Sequence, residues 1–319
     1  MAFAFSGFEA ELEEELRRKS ANSSLTFERL DERLFLLRTS SRDLSEAFVW
    51  TQCLALDGKR VSVMSISEAA RILKTHPLPR GSYSIAHHRR CELIRSQAKD
   101  APLRRIDFLP SSESTPWQFW TLLKPDELWT STNCWPRAVM GLREFVEDKN
   151  EPPSRAYLKL WEMFSLGIVP PRSGQRVLDL GAAPGGWTWV LSQMGCDVTA
   201  FDKGRLELAA SPRIHFREQD VFQLSPADWP VDWLFCDMIT EPKKLQALLH
   251  RWLAVWPHLR CVCSVKFKGA TDFAMIEQFL KDFPGSRVQH LYHNKHELTW
   301  VHNVSLRANG LLDKLPLQN

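Results

Sequence analysis

The 319-residue sequence is short of several things, and each shortage excludes a class of protein. It has no apolar run approaching the ~20 residues that cross a bilayer, so no transmembrane helix is expected. Its start, Met1-Ala-Phe-Ala-Phe5, is apolar but brief and runs into Glu9, Glu11, Glu13, Glu14 and Glu15. An export signal needs a basic start and a longer apolar stretch, so export is not expected. Cysteine is odd in number, at seven, and several lie inside apolar runs. Cys261-Val-Cys263 has a spacing poor for zinc or a disulfide, so no metal site is expected and the thiols read as reduced and cytosolic. Internal repeats are absent. Charge of one sign is scarce as well: the net +3 is too small to establish a polyanionic partner.

What is present is an ordinary globular composition, 44% hydrophobic and 25% charged, of a length that fits two domains. Tryptophan is in excess, 13 against only 3 tyrosines. Such an excess suits both a packed core and surfaces that stack on flat ligands. Charge is unevenly placed. Nine basic residues (Arg71, Lys74, Arg80, Arg89, Arg90, Arg95, Lys99, Arg104, Arg105) face two acids, Glu92 and Asp100, with His76, His87 and His88 alongside. A stretch of this kind either grips phosphates by charge or is a solvated helix face.

The carboxyl half alternates short apolar runs with helical patterns. Ser154 is placed to cap a helix through Tyr157, Leu158, Trp161 and Phe164. Strands are expected at 176–180, 197–201, 214–217, 233–236 and 261–265, with helices at 185–195, 241–256 and 272–283. Segments 288–292 and 298–306 close the pattern as a hairpin. The alternation predicts a doubly wound, mostly parallel sheet with helices on both faces. The amino half reads as an α+β region. Strands are expected near Ala2–Phe5, a hairpin at 27–37, helices at 8–19, 43–54 and 66–74, and two strands around Pro125-Asp126. The linker candidate is 148–153, giving an amino-terminal domain over 1–150 and a second over 151–319.

The strongest local signal is Val177-Leu-Asp-Leu-Gly-Ala-Ala-Pro-Gly-Gly-Trp187. A strand ends in Asp179, and a Gly/Pro turn opens a helix where backbone can approach a ligand and amides are free. The spacing Gly181-x-x-x-Gly185-Gly186 fails the G-x-G-x-x-G dinucleotide pattern, which argues against a nicotinamide oxidoreductase. Asp202, at the end of the next strand, occupies the position that holds ribose hydroxyls in doubly wound folds. Asp220, after the third strand, falls where a nucleobase amine would be met.

This loop, Asp179 through Gly181, Pro184, Gly185, Gly186 and Trp187, resembles the S-adenosylmethionine loop of the FtsJ-like RNA ribose 2′-O-methyltransferases. Pro-Ser-Arg-Ala-Tyr-Leu-Lys159, Cys-Asp-Met-Ile-Thr-Glu-Pro-Lys243 and Leu-Tyr-His-Asn-Lys-His-Glu297 resemble the RlmM branch of that family, which methylates a cytidine of large-subunit ribosomal RNA. The resemblance implies a Rossmann-like class I methyltransferase fold and S-adenosylmethionine as cofactor. It also implies an RNA partner, 23S rRNA or an assembling large subunit, and a cytoplasmic location. It further implies an abbreviated amino-terminal RNA-binding module of ferredoxin-like and THUMP-like kind, opening at Gly7-Phe8-Glu9 and including Trp129-Thr-Ser131.

Transfer to a ribose hydroxyl asks for aligned groups that help remove a proton from a weakly acidic alcohol. A lysine does this when burial or a second cation lowers its pKa, and carboxylates hold the array. The sequence offers Lys159 before the cofactor strand, Asp237 ending the fourth strand, Lys266 ending the fifth and Glu297 between the last two. This matches the Lys-Asp-Lys-Glu tetrad of the family. The resemblance makes Lys266 the base or the steering group, tuned by Lys159 and Asp237, with Glu297 orienting it. Lys268 would lie on the opposite face, and His296 reads as a loop residue. The competing readings are the same chemistry on tRNA or an mRNA cap, and a non-catalytic ribosome-assembly factor. Of the tryptophans, only Trp117, Trp120, Trp129 and Trp135 remain candidates for RNA contact.

Overall fold

The computed structural model describes residues 1–39, 48–102, 105–108 and 116–305. They form two compact units. The first holds the described residues up to Asp107 and from 116 to Glu144; the second holds Phe108 and the described residues from Phe145 onward. The seam thus falls just before the 148–153 stretch. Phe145 meets the Trp161 ring edge-on at 5.6 Å, and the Tyr157 hydroxyl donates to the Asp148 carbonyl, which ties that stretch into the second unit.

The first unit runs β1 (Ala2–Ala4), α1 (Glu9–Ala21), β2 (Thr26–Arg29), β3 (Leu34–Arg38), β4 (Thr51–Leu56), β5 (Lys59–Ser62), α2 (Ile66–Leu73), β6 (Arg80–Ser82), α3 (His88–Ala98), β7 (Gln118–Lys124), β8 (Glu127–Ser131) and β9 (Asn133–Trp135). Its strands make an antiparallel sheet ordered β2-β3-β1-β4-β9 and a second sheet ordered β5-β8-β7-β6. Helices α2 and α3 bury Ala70, Leu73, Cys91 and Ile94 against Trp120, Leu122 and Leu128 of the second sheet.

The part of the helix expected over 43–54 that is described is not helical: Thr51–Leu56 is a strand between β1 and β9, and 40–47 lie outside the described residues. This strand is buried on both faces, Thr51 and Gln52 included, so no period-2 alternation of apolar and polar residues marks it. The tryptophan expectation also needs correction. Trp117 and Trp120 are 0% exposed, Trp129 4% and Trp135 7%, so none of the four presents a ring to a ligand. The indole of Trp117 donates to the Pro136 carbonyl and that of Trp120 to the Asp100 carboxylate.

The basic stretch divides in two; Arg104 lies outside the described residues. Arg80 is buried and donates to the carbonyls of Leu73, His76, Leu78 and Ala98, where α2 and α3 end. It satisfies carbonyls a helix leaves without partners. Arg71, Lys74, Arg89 and Lys99 are exposed, and the last three have no acidic partner among the described residues.

The second unit runs α4 (Tyr157–Ser165), β10 (Arg176–Leu180), α5 (Gly186–Gln193), β11 (Asp197–Asp202), β12 (Ile214–Glu218), β13 (Trp233–Cys236), α6 (Pro242–Val255), β14 (Arg260–Lys266), α7 (Phe273–Asp282), β15 (Arg287–Gln289) and β16 (Glu297–His302). Its sheet is ordered β12-β11-β10-β13-β14-β16-β15. The first five strands are parallel; β16 enters antiparallel between β14 and β15. This is the Rossmann-like, doubly wound arrangement with a carboxyl-terminal hairpin that the alternating pattern predicts.

Period-2 alternation divides the strand residues between the two faces. Val262 and Val301 join α4 and α5 residues (Leu158, Trp161, Trp187, Leu191) in one core. Trp300 instead meets Phe279 of α7. All seven cysteines are free and buried. Among the described residues, no helix is long and apolar enough to cross a membrane.

Candidate active site

Strand order reverses between β10 and β13, which is where ligands bind in open α/β sheets, beyond the strands' carboxyl ends. A cavity of about 380 Å³ opens there, lined by Asp179, Gly181, Pro184, Gly186, Trp187, Asp202, Asp237 and Lys266 among the expected residues. The strand-end acids and the glycine loop therefore converge as the sequence pattern implies. Ser154, Ala156, Ala182, Ala183, Met238 and Ile239 complete the lining. Two residues expected to hold the cofactor do not line it. Gly185 turns the chain at φ +123° into α5. The carboxylate of Asp220 is taken up by the Phe222 amide and by Lys203 Nζ at 2.7 Å.

The loop conformation explains its residue types. Gly181 has φ +74°, and a Cβ there would lie 2.6 Å from Met238 Cβ. A side chain would close the gap between the loop and the β13 end. Gly186 is crowded differently: its Cβ would meet Ser154 Oγ at 2.6 Å. Ser154 packs against the loop and does not cap α4, whose N-terminal flanking residue is Ala156 with no side-chain cap. That expectation is corrected.

Two cavity carboxylates differ in their hydrogen bonding. Asp202 Oδ2 accepts from the Ala183 amide and Oδ1 from the Gly204 amide, at 3.0 and 2.7 Å. Asp179 accepts from the Thr188 hydroxyl at 2.6 Å, but its Oδ1 is buried without a partner. Burial pushes the Asp179 carboxyl up to about 7, a rise that the Thr188 hydrogen bond only moderates. A glycine cradle, an acid at the β11 end and an orphaned buried oxygen fit a nucleoside-containing ligand with polar atoms at both ends.

Beside this cavity the four chemistry-bearing residues meet. The register pairs Lys266, at the end of β14, directly with Glu297, the first residue of β16. Lys159 reaches in from α4. Its Nζ lies 2.8 Å from both Asp237 carboxylate oxygens and 2.8 Å from Glu297 Oε1. Lys266 Nζ donates to the Asp237 carbonyl at 2.6 Å, with Asp237 Oδ1 at 3.1 Å and Glu297 Oε2 at 3.7 Å. Two cations and two anions make a neutral cluster, which is what permits its burial.

The members are not equivalent. Burial opposes the charge on Lys159, but Asp237 and Glu297 outweigh it and raise its pKa, so Lys159 is a fixed cation. Burial likewise works against the Asp237 carboxylate, and Lys159 and Lys266 outweigh it to hold the group below its usual range. Lys159 and Glu297 stand behind Asp237, whereas Lys266 reaches the cavity with 21% of its side chain exposed. Lys266 is the cluster's accessible nitrogen. Strand β14 ends at Lys266, so Lys268 lies in the following turn, and His296 shares a hydrogen bond with the Thr271 hydroxyl.

Sequence reasoning missed Ile239, which is 82% exposed although it lines the cavity two residues beyond Asp237. It missed Thr188 as well. Its signal was present: a threonine in the first turn of the loop's helix faces back toward the preceding strand end.

The geometry defines a Rossmann-like domain with a glycine-lined cavity and a buried Lys-Asp-Lys-Glu cluster. Residues 152–273 match the FtsJ-like methyltransferase family, as the loop resemblance implies. "Ribosomal RNA large subunit methyltransferase M" of Azoarcus sp. (strain BH72) is 32% identical over 182 residues, which is 52% of this chain and 49% of that protein. Its namesake in Halorhodospira halophila is 34% identical over 175 residues, 52% of this chain and 50% of that one. The chain thus spans about half the length of these curated relatives. Among solved structures, magnesium protoporphyrin IX methyltransferase from Synechocystis PCC 6803 with bound SAM overlaps loosely. The TM-score is 0.31 at 20% identity over 41% of this chain and 71% of that chain.

Proposed function

We propose that this protein is a cytoplasmic, S-adenosylmethionine-dependent RNA ribose 2′-O-methyltransferase whose substrate is a cytidine of 23S rRNA. The observation that carries this reading is the neutral four-residue cluster beside the glycine-lined cavity, with Lys266 the cluster lysine that lines it beside Asp237. Within the cavity, Asp202 holds the cofactor's ribose hydroxyls, and the 181–187 loop supplies close backbone approach and amide donors. Bound S-adenosylmethionine supplies an activated methyl group. In its amine form Lys266 steers the ribose 2′-hydroxyl and takes up its proton as the methyl passes from the cofactor's sulfonium sulfur to that oxygen. Asp237 fixes the Lys266 nitrogen in place through its main-chain carbonyl and its carboxylate. Lys159, locked as a cation, keeps Asp237 ionised and orients the carboxylates of Asp237 and Glu297.

The substrate class is supported by the first unit, which we assign as an RNA-binding module of ferredoxin-like and THUMP-like kind. Lys74, Arg89 and Lys99 are exposed on or beside α2 and α3 without acidic partners among the described residues, and they hold RNA phosphates. Ile239, apolar and exposed at the cavity, gives the incoming nucleotide an apolar surface.

The test is transfer of labelled methyl to 23S rRNA lacking the modification, followed by nuclease digestion and identification of the methylated nucleoside. Appearance of 2′-O-methylcytidine is the expected result. A methyl group on a base, or label only in tRNA or cap substrates, overturns the assignment.

A further inference from the structure

Glu162 is a carboxylate only 2% exposed, on the same helix as Lys159 and three residues beyond it. Burying an acid is unfavourable unless its oxygens are satisfied. Here they are satisfied by backbone: Oε1 accepts from the Tyr292 amide at 2.7 Å and Oε2 from the His293 amide at 2.9 Å. Such charge-assisted bonds are shorter and stronger than neutral ones. Residues i and i+3 lie on one helix face, so α4 presents Lys159 and Glu162 side by side.

The segment they meet is the turn that delivers Glu297. The turn is braced within itself. The Asn294 amide donates to the Leu291 carbonyl at 3.0 Å, and His290 Nε2 pairs with the Lys295 carbonyl at 2.9 Å. Asn294 Nδ2 donates to the Glu297 carbonyl at 3.2 Å and to Thr299 Oγ1 at 3.3 Å. Glu297 is the first residue of β16, and its pairing with Lys266 is the last rung of the ladder. A terminal rung fixes a side chain weakly by itself, so the turn's anchor sets where the carboxylate points.

We propose that Glu162 is a positioning residue. By holding the Tyr292 and His293 amides it pins the 290–296 turn to α4, and so sets Glu297 against Lys159 and Lys266. One helix face then works as a jig: Lys159 takes the carboxylates, and Glu162 takes the backbone that carries one of them. The effect on turnover rests on the methyltransferase reading above; the effect on the lysines does not.

The test uses the full chain with Glu162→Gln, in which one amide oxygen replaces two carboxylate acceptors. The pH profile of Lys266 modification by an amine reagent is followed by peptide mass spectrometry. Methyl-transfer kinetics on 23S rRNA are measured alongside. The expected result is a displaced Lys266 profile, with kcat down roughly 10–100-fold and KM for RNA within about threefold, as misplacement of an aligned group predicts. Phe279→Leu, a core change on α7, serves as the control for lost stability alone and leaves the Lys266 profile where it is. If Glu162→Gln fails to fold, Asn294→Ala loosens the same turn from its other side and is read identically. An unchanged Lys266 profile, or the same displacement in Phe279→Leu, overturns the proposal. Absence of methyl transfer by the wild-type chain sinks the methyltransferase reading, while the labelling profile still decides the role of Glu162.

Discussion

Replacing Lys159 with methionine removes one charge and keeps most of the volume. The side chains of Lys159, Asp237 and Glu297 are 10%, 15% and 7% exposed, so solvent screens the resulting imbalance little. Breaking a buried pair by deleting one partner costs about 3–5 kcal/mol, because it strands an uncompensated charge. For a unit of this size that corresponds to a fall of roughly 6–20 °C in melting temperature. The sign with pH follows from the shifts. Asp237 is depressed, so its contribution is present above the unfolded carboxylate value of about 3.9 and is lost as pH falls through its folded value. Lys159 is raised, so its contribution persists until pH climbs through its folded value, above the ordinary lysine range. The penalty of Lys159→Met is therefore full near pH 7 and shrinks on acidification below about pH 4. Urea unfolding of both chains across that range measures it. A variant within about 0.5 kcal/mol of wild type at pH 7 would refute the claim that the cluster is a coupled, buried ion network.

Other consequences are independent of that one. Lys266→Ala lowers methyl transfer by roughly 10²–10⁴-fold, the usual contribution of a proton-handling group, with calorimetric cofactor affinity kept within several-fold. Asp202→Ala weakens cofactor binding about 10–100-fold, the cost of a lost charge-assisted hydrogen bond; unchanged affinity removes its ribose-holding role. The Asp179 carboxyl, raised by burial to about 7, contributes stability present below pH 4 and lost as pH rises through 7. Asp179→Asn abolishes that decline, which amounts to ~4 kcal/mol, and parallel denaturation curves from pH 4 to 8 for the two chains would contradict it. Arg80→Ala leaves the helix-end carbonyls of α2 and α3 without their donor and destabilises the first unit by about 3 kcal/mol, read from its own unfolding transition.

Much of the second unit is legible because its elements obey simple periods. The alternation of apolar runs and helical patterns places β10 to β14, and glycine spacing with strand-end acids marks the cavity. Asp237 and Lys266 meet because parallel strands carry their ends to one edge, Glu297 joins them as the first residue of antiparallel β16, and Lys159 reaches in from α4. What the residues did not disclose depends on tertiary satisfaction. Asp220 sits after the third strand as expected, yet Lys203 and the Phe222 amide claim it locally. Ser154 reads as a cap, but packing against Gly186 holds it elsewhere. In the first unit, Thr51–Leu56 is a strand only because β1 and β9 flank it. Likewise Arg80 reads as one of a basic run until the carbonyls at two helix ends are found around it. The tryptophan excess, ambiguous by count, is resolved by burial of the four rings in the first unit.

The central claim is that Lys266 handles the proton of a ribose 2′-hydroxyl within a neutral buried cluster. It is tested most directly by methylating unmodified 23S rRNA with the wild-type chain and with Lys266→Ala, then identifying the nucleoside. The account predicts 2′-O-methylcytidine from wild type and none above background from the variant that still binds cofactor. Equal 2′-O-methylation by both chains would contradict it.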